Sequence, residues 1–292
     1  MERELWQALY LLASGLDKRW GRWKYSTAEI VTVYFWAVLH DRPTSWAAQP
    51  AEWPADLRPV PLPPQSTLSR RLKQADSVEL MTAVEQQLVV LIGLGQHWIH
   101  VLDGKPLAVS PISHDRDAAW GRGARGMQKG YKLHAVWNGG PLFTTWALTP
   151  MNCSEKTVAR CLLKSMLGGG YLLADAQYDA NYLYDDAEKA GFQLVAKKTP
   201  GRGRNGLGHR RNSPSRLRSI ELLTTRFGAA LYHERGTIER QFGVLASTGG
   251  ILGPLPVWVR RFHRVRHWVQ AKLILNALRC IQSSRPHVIA NA

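Results

Sequence analysis

Two carboxylates each follow a short apolar run, a placement that suits catalysis. Asp103 ends the run WIHVLD and Asp175 ends the run YLLAD, so both are predicted at the edge of a sheet. Sheet edges are where α/β proteins hold their reactive groups. Each acid also has an ordinary interpretation, because Asp-Gly is a common hairpin turn and an Asp after a strand often caps the next helix. Position alone leaves both interpretations open.

A third acid lies in the segment LYHERGTIERQFGVL. Tyr232, Arg235 and Glu239 are spaced i, i+3 and i+7, so they line one face of a predicted helix. A neighbouring stripe of Leu231, Ile238 and Leu245 is apolar and predicted to be buried. The alternative is a surface ion pair between Arg235 and Glu239, which stabilises a helix by only a few tenths of a kcal/mol, about 0.3–0.5.

Taken in order, the motifs VLDGKPL, LLADAQYD and Tyr-x2-Arg-x3-Glu resemble the three acidic motifs of bacterial insertion-sequence DDE transposases. The spacings, 72 residues from Asp103 to Asp175 and 64 from Asp175 to Glu239, are compatible with the ribonuclease-H-like core of that family. The resemblance covers about residues 97–247. The segment LPPQSTLSRRLKQ is similar to the N-terminal helix-turn-helix region of these proteins.

The resemblance implies a function and a set of ligands. Asp103, Asp175 and Glu239 would hold two Mg²⁺ ions, for which Mn²⁺ would substitute, and carboxylate oxygens suit such ions. The activity implied is endonuclease cleavage of transposon-end DNA followed by strand transfer, which is DNA recombination by a transposable element. Tyr232 and Arg235 would contact phosphates of the transposon end. The implied partner is double-stranded DNA, bound as a homodimer in the bacterial nucleoid.

The sequence departs from the family at one position and leaves other interpretations open. The family often has Lys seven residues after the Glu, where this chain has Ala246; Arg260 is a candidate replacement. Asp179 in DAQYD is the nearest rival to Asp175. One alternative function is that of a catalytically inactive, transposon-derived DNA-binding protein, and another is a ribonuclease-H-like nuclease that cuts without strand transfer.

The elements that position these residues divide the chain into three predicted regions. Residues 1–96 are predicted to be a helical DNA-binding region. STAE, beginning at Ser26, is a capping box that opens the apolar run IVTVYFWAVL. Further along, Ser66 or Thr67 is expected to cap a short helix that carries the DNA-binding candidates Arg70, Arg71 and Lys73.

Residues 97–247 are predicted to be the catalytic core, an α/β fold with a ribonuclease-H-like mixed sheet and flanking helices. WIHVLD, KPLAVS, GYKLHAVW and LFTTWALT are rich in β-branched and aromatic residues and are predicted to be separate strands. A helix capped by Ser154, the strands YLLAD and FQLVAKK, and a helix from Ala229 to Leu245 follow. Residues 199–218 are predicted to be a basic, flexible loop.

Residues 248–292 are predicted to be a basic helical region, with one helix from Val257 to Ile281. Its Arg260 and Arg264 lie on a polar face and are candidates for phosphate contact. From Lys197 onward the chain has 18 Lys and Arg against 3 Asp and Glu, a net charge of +15 out of the +16 of the whole chain. The basic last third is rich in apolar residues, so it is predicted to be folded and to face a polyanion.

Cysteine content and hydropathy suggest a compartment. The three cysteines form no CxxC pair, which favours neither a disulfide framework nor a zinc site. No window approaches about 18 uninterrupted apolar residues. We therefore expect a cytoplasmic, nucleoid-associated protein that does not enter the membrane.

Overall fold

The computed structural model describes residues 2–18, 23–92, 97–123, 126–143, 145–199, 207, 212–247 and 252–284. The chain forms two compact units. Residues 1–93 and 245–292 make up one, the helical unit, and residues 94–244 make up the other, the sheet unit. The N-terminal and C-terminal segments, which the sequence divides into separate regions, thus share one unit.

The N-terminal segment is helical, as the sequence predicts. Its α-helices are α1 Glu2–Leu16, α2 Thr27–Leu39, α3 Thr44–Ala47, α4 Gln65–Arg71 and α5 Ala75–Ile92. The capping box is confirmed, because the Ser26 side chain accepts from Glu29 N and the Glu29 carboxylate accepts from Ser26 N. Every residue of α2 is buried except Glu29, so α2 is the central helix of this unit.

The short helix α4 begins differently from the prediction. Its N-cap is Pro64, and neither Ser66 nor Thr67 caps it. The Pro64 carbonyl accepts from Leu68 N at 3.0 Å, which closes the first turn ahead of both hydroxyl residues. Pro64 is itself extended, with φ −68° and ψ 153°, and it serves as the N-cap through its backbone carbonyl and not through a side chain.

The sheet unit contains a mixed sheet and five helices among the residues that the structure describes. The strands are β1 Ile99–Ala108, β2 Ala119–Gly123, β3 Gly126–Trp137, β4 Thr145–Pro150, β5 Gly170–Ala174 and β6 Phe192–Ala196. The helices are α6 Glu155–Leu163, α7 Asn181–Lys189, α8 Pro214–Thr224, α9 Arg226–His233 and α10 Gly236–Ser247, of which α10 ends across the boundary of the unit. The helical unit is completed by α11, Phe262–Ser284.

The sheet combines an antiparallel half with a parallel half. Its order is β2-β3-β1-β5-β6, with β4 also paired to β3. β3 runs antiparallel to β1, β2 and β4, whereas β1, β5 and β6 are parallel to one another. Helices α6 and α7 cover one face and bury an apolar cluster that includes Leu162, Tyr184 and Leu194. The predicted α/β fold, a mixed sheet with flanking helices, is confirmed.

The segments WIHVLD and KPLAVS are one strand, so the prediction of two strands is wrong. β1 pairs with β3 without interruption from Val101, opposite Trp137, to Ala108, opposite Gly130. That ladder supplies partners for the Asp-Gly segment, which would otherwise favour a turn. The pairing of β1 with β5 ends at Val101. Pro106 has no N–H to donate, and it lies in the part of β1 that pairs with β3 alone.

Three boundaries in the basic part of the chain also differ from the prediction. Residues 214–218 belong to helix α8 and not to the predicted loop, because Pro at the first helical position favours helix initiation. Residues 200–206 and 208–211 of the predicted loop lie outside the described part of the chain. The predicted helix from Ala229 to Leu245 is two helices, interrupted at Glu234 and Arg235. The last helix begins at Phe262, because Arg261 has a φ of 75° that a right-handed helix excludes.

Among the described residues, no helix combines the length and the apolar character needed to cross a bilayer.

Candidate active site

Asp103 lies within β1 and Asp175 lies directly after β5, so the two residues are at the same level of two adjacent parallel strands. The last paired residues of β1 and β5 are Val101 and Leu173. Each aspartate lies two residues further on, and side chains two apart in a strand point to the same face. Asp103 is therefore in the middle of β1 and not at its end, and the site forms where β1 separates from β5.

Backbone hydrogen bonds orient both carboxylates. Asp103 Oδ1 accepts from Gly104 N at 2.7 Å, and Asp175 Oδ1 accepts from Gln177 N at 2.8 Å. Burial raises the pKa of Asp103 to about 6, with a further contribution from the negative charge of Asp175. Burial also raises the pKa of Asp175, and the charge of Glu155 adds to this effect. The site concentrates negative charge in a partly desolvated position, which favours a bound cation.

Tyr232 and Arg235 lie beside the aspartates. The Tyr232 hydroxyl donates to the Ala174 carbonyl at 3.1 Å, so it holds the end of β5 directly before Asp175. Lys197 Nζ lies 5.3 Å from the centre of the Tyr232 ring. The positive charge of Arg235 opposes the rise in pKa of both aspartates. These contacts place a cation and a phenol next to the acidic pair.

Glu239 is paired with Arg235. Glu239 Oε1 lies 2.8 Å from Arg235 Nη2, and the side chain of Glu239 is 57% exposed. Within the described ranges, no three His, Cys, Asp or Glu side chains are grouped so that they could hold a metal ion. Asp103 and Asp175 are close enough for their charges to interact, whereas Glu239 does not complete a group of three with them.

Glu155 is an acidic neighbour of the site that sequence reasoning missed. It lies in the first turn of α6 and pairs with Lys132 of β3, with Nζ and Oε1 2.5 Å apart. A Cβ added at Gly104, the residue after Asp103, would lie 3.6 Å from the Glu155 carboxylate. Glu155 lies in no acidic motif, and only the pairing of β1 with β3 brings it to the site.

Asp179, the rival of Asp175, has a structural role. It is buried, and Arg216 makes two hydrogen bonds to it, Nε to Oδ1 at 2.6 Å and Nη2 to Oδ2 at 2.7 Å. Burial alone would raise the pKa of Asp179, but the bonds from Arg216 and from Thr199 N lower it overall. The Asp179 carboxylate is fully engaged by these hydrogen bonds and joins α8 to the segment between β5 and α7.

Of the predicted DNA-binding residues of the helical unit, some are exposed to solvent and others are engaged in contacts within the unit. Arg70, Lys73 and Arg264 are exposed. Arg71 is 1% exposed, pairs with Asp76 at 2.7 Å and donates to the Tyr25 carbonyl, so it holds the unit together. Arg260 Nη1 donates to the carbonyls of Pro256 and Val259 at 2.6 and 2.8 Å, which fixes the turn before α11.

The acidic pair partly fits the metal ions that the motif implies. The carboxylate oxygens and the raised pKa values suit hard divalent cations. The third carboxylate is occupied by Arg235, so the full set is not assembled as it stands. A divalent ion at Asp103 and Asp175 fits, and a complete site requires Glu239 to exchange its partner.

The sheet order, read from β4 through β3 and β1 to β5 and β6, with aspartates on its two central parallel strands, is the ribonuclease-H-like arrangement. The chain belongs to the transposase DDE domain family, whose sequence pattern matches residues 94–253. Members of this family generally use divalent metal ions.

Comparison with other proteins adds two findings. Among solved structures, the chain is similar to a piggyBac transposase, seen by cryo-electron microscopy in a synaptic complex with hairpin DNA, at a TM-score of 0.47 and 8% sequence identity. The similarity covers 94% of this chain and 71% of that one. No curated protein matches the chain.

Proposed function

We propose that this protein is a metal-dependent transposase that cleaves the ends of a transposon and joins them to target DNA. The observation that carries the proposal is the pair of half-buried aspartates, Asp103 in β1 and Asp175 directly after β5, each two residues beyond the last paired residue of adjacent parallel strands. Membership of the transposase DDE domain family supports it. The substrate is double-stranded DNA, and the working species is a homodimer on that DNA.

Asp103, Asp175 and Glu239 are the residues that would hold two Mg²⁺ ions, with Mn²⁺ as a substitute. When bound, such ions activate water or a 3′-hydroxyl and stabilise the leaving oxygen of a displacement at phosphorus. Glu239 is largely exposed and lies on the first turn of α10, so exchange of its ion pair with Arg235 costs only about 0.2–1 kcal/mol.

The neighbouring side chains bind and orient the DNA strand. Arg235 has a planar guanidinium that can donate two hydrogen bonds to one phosphate group. A phosphate bound to Arg235 competes with Glu239 for the same donors, so DNA binding releases the Glu239 carboxylate. Tyr232 keeps Asp175 in place through its bond to the Ala174 carbonyl.

Lys105 is a second candidate for the cation that the family often has at the position of Ala246. Lys105 lies on β1 two residues after Asp103, and its Nζ lies 5.8 Å from the centre of the Phe242 ring on α10. Phe242 precedes Ala246 by four residues, which is about one helical turn on the same face. Arg260, the candidate from the sequence, already bonds to two carbonyls of its own turn.

A non-catalytic DNA-binding role is the second candidate, and the Arg235–Glu239 pair favours it. An acid that stays paired with an arginine would leave the metal site incomplete. A nuclease that cuts without strand transfer differs from a transposase only in its products. The observations on Asp103 and Asp175 favour catalysis, because two neighbouring, half-buried carboxylates with raised pKa values are stabilised by a bound cation.

The deciding experiment combines purified protein with supercoiled plasmid that carries the element's ends, in the presence of Mg²⁺ or EDTA. We expect Mg²⁺-dependent cleavage at the ends and joined products in a target plasmid. Binding without cleavage would support the non-catalytic role, and cleavage without joined products would identify a nuclease. Neither reaction should occur in EDTA.

A further inference from the structure

The helical unit contains a cavity of about 190 Å³ that brings its two predicted basic segments together. The walls are formed by residues of α2 and α3 with the connection between them, by α4 with the two residues after it, and by residues within 258–268. Lys73, from the region of α4, and Arg264, from the first turn of α11, are 191 residues apart in the sequence and line the same cavity. Arg42, which sequence reasoning did not single out, lines it as well.

The cavity is lined by basic residues without acidic ones. Arg42, Lys73 and Arg264 are exposed, and no ion pair or side-chain hydrogen bond involves any of the three within the described part of the chain. No Asp or Glu is among the lining residues. The nearest acid in sequence, Asp41, forms an ion pair at 2.7 Å with buried Lys272 and so does not neutralise Arg42.

The remaining lining is suited to one small anionic group. The side chains of Thr44, Ser45 and Gln65 can donate hydrogen bonds. Leu72, Val259 and Trp268 are buried and give the cavity an apolar wall that limits its depth. Three unpaired cations with hydroxyl and amide donors are the groups that contact phosphate oxygens in protein–DNA interfaces.

We infer that this cavity is a binding site for a phosphate of the DNA backbone, contacted by Arg42, Lys73 and Arg264. The inference rests on the proposed function for its ligand, since a transposase binds DNA. It assigns the two predicted basic segments to a single site. Exposed Arg70 on α4 extends the cationic surface beside it, which favours a polymer of phosphates over an isolated anion.

The test measures the salt dependence of DNA affinity without metal, so that catalysis plays no part. The variant R42Q/K73Q/R264Q in the full-length chain is compared with the wild type on a duplex that carries the element's end. Loss of one phosphate contact should reduce the slope of log K against log salt by about 0.9. The matched control K18Q/K24Q/R58Q removes the same charge from exposed positions of the same unit and should leave the slope unchanged. An unchanged slope in the cavity variant, or an equal fall in the control, would overturn the inference.

A second measurement separates DNA from a free anion and verifies folding. Trp258 lines the cavity and is 37% exposed, so its resonance in 5-fluorotryptophan-labelled protein, assigned with Trp258→Phe, reports on occupancy. We expect the duplex to shift this resonance in the wild type and not in the cavity variant. A shift produced by inorganic phosphate or thymidine monophosphate but not by duplex would identify a free-ligand site and contradict the DNA assignment. The other fluorotryptophan signals show whether the variant is folded.

Failure of the inference and failure of the proposed function give different results. Asp103→Asn should abolish cleavage and preserve both the salt slope and the Trp258 shift. A wild type that shows these binding signals but never cleaves would contradict the proposed catalysis and leave the phosphate site standing. A wild type that cleaves while the cavity variant keeps its full slope would contradict the phosphate site alone.

Discussion

Asp103 and Asp175 each lie two residues beyond the paired residues Val101 and Leu173 of adjacent parallel strands. This register places both carboxylates on one face, and the charge of Asp175 raises the pKa of Asp103. The arrangement requires Asp103 to lie within a continuous strand, because only the long ladder with β3 carries β1 beyond its last contact with β5.

Removal of either aspartate should abolish DNA cleavage. A lost carboxylate weakens the hold on a divalent ion that supplies several kcal/mol of stabilisation, so Asp103→Asn and Asp175→Asn should lower the cleavage rate by about 10³-fold or more. Glu239→Gln should do the same. Asp186→Asn, on a surface ion pair with Arg160, is the control and should cleave normally. Full activity in any of the first three variants would exclude that residue from catalysis.

Tyr232→Phe should slow cleavage with only a small effect on folding. The substitution removes the hydrogen bond to the Ala174 carbonyl, which contributes about 0.5–1.5 kcal/mol. Because that bond holds the end of β5 next to Asp175, we expect the cleavage rate to fall while the urea midpoint changes little. Unchanged single-turnover cleavage would show that the bond does not position Asp175.

Asp179 should matter for stability and not for the chemical step. Asp179→Ala leaves Arg216 buried without its partner, so the free energy of unfolding should fall by about 3–5 kcal/mol. The fraction that remains folded should keep its divalent-ion affinity, measured with Mn²⁺, whereas Asp175→Asn should lose that affinity and stay folded. The opposite pattern would assign the metal ligand to Asp179.

Arg70 and Arg71 are adjacent and should behave differently. Arg71→Gln breaks a buried pair with Asp76 and should destabilise the protein by about 3–5 kcal/mol in urea unfolding. Arg70→Gln changes an exposed side chain and should leave stability within about 0.5 kcal/mol while weakening DNA binding. Equal stability of the two variants would contradict the structural role of Arg71.

Stability should fall in mild acid because of His134. Burial lowers the pKa of His134 from 6.5 to about 4, so below pH 6.5 the unfolded chain binds a proton that the folded protein does not. The resulting loss should reach about 3 kcal/mol between pH 6.5 and 4. His134→Gln, which can still bond to Thr149, should flatten this part of the stability curve. His114→Gln, at an exposed position, should not, and identical slopes in all three proteins would refute the assignment.

Features that depend on neighbouring residues could be predicted from the sequence alone. The capping box at Ser26 and Glu29 forms within one helical turn, and the apolar runs before Asp103 and Asp175 form strands because their own side chains favour burial in a sheet. The order of the acidic motifs was sufficient to indicate a DDE transposase, and the match of residues 94–253 to the transposase DDE domain family confirms that much.

Features that depend on distant residues were decided only by the tertiary structure. Pairing with β3 makes Asp-Gly part of a strand, Arg216 neutralises Asp179 from 37 residues away, and the first and last segments of the chain join in one unit. Glu155 reaches the acidic pair by the same long-range pairing. A buried charge is stable only beside its partner, and no local pattern specifies which distant residue that partner will be.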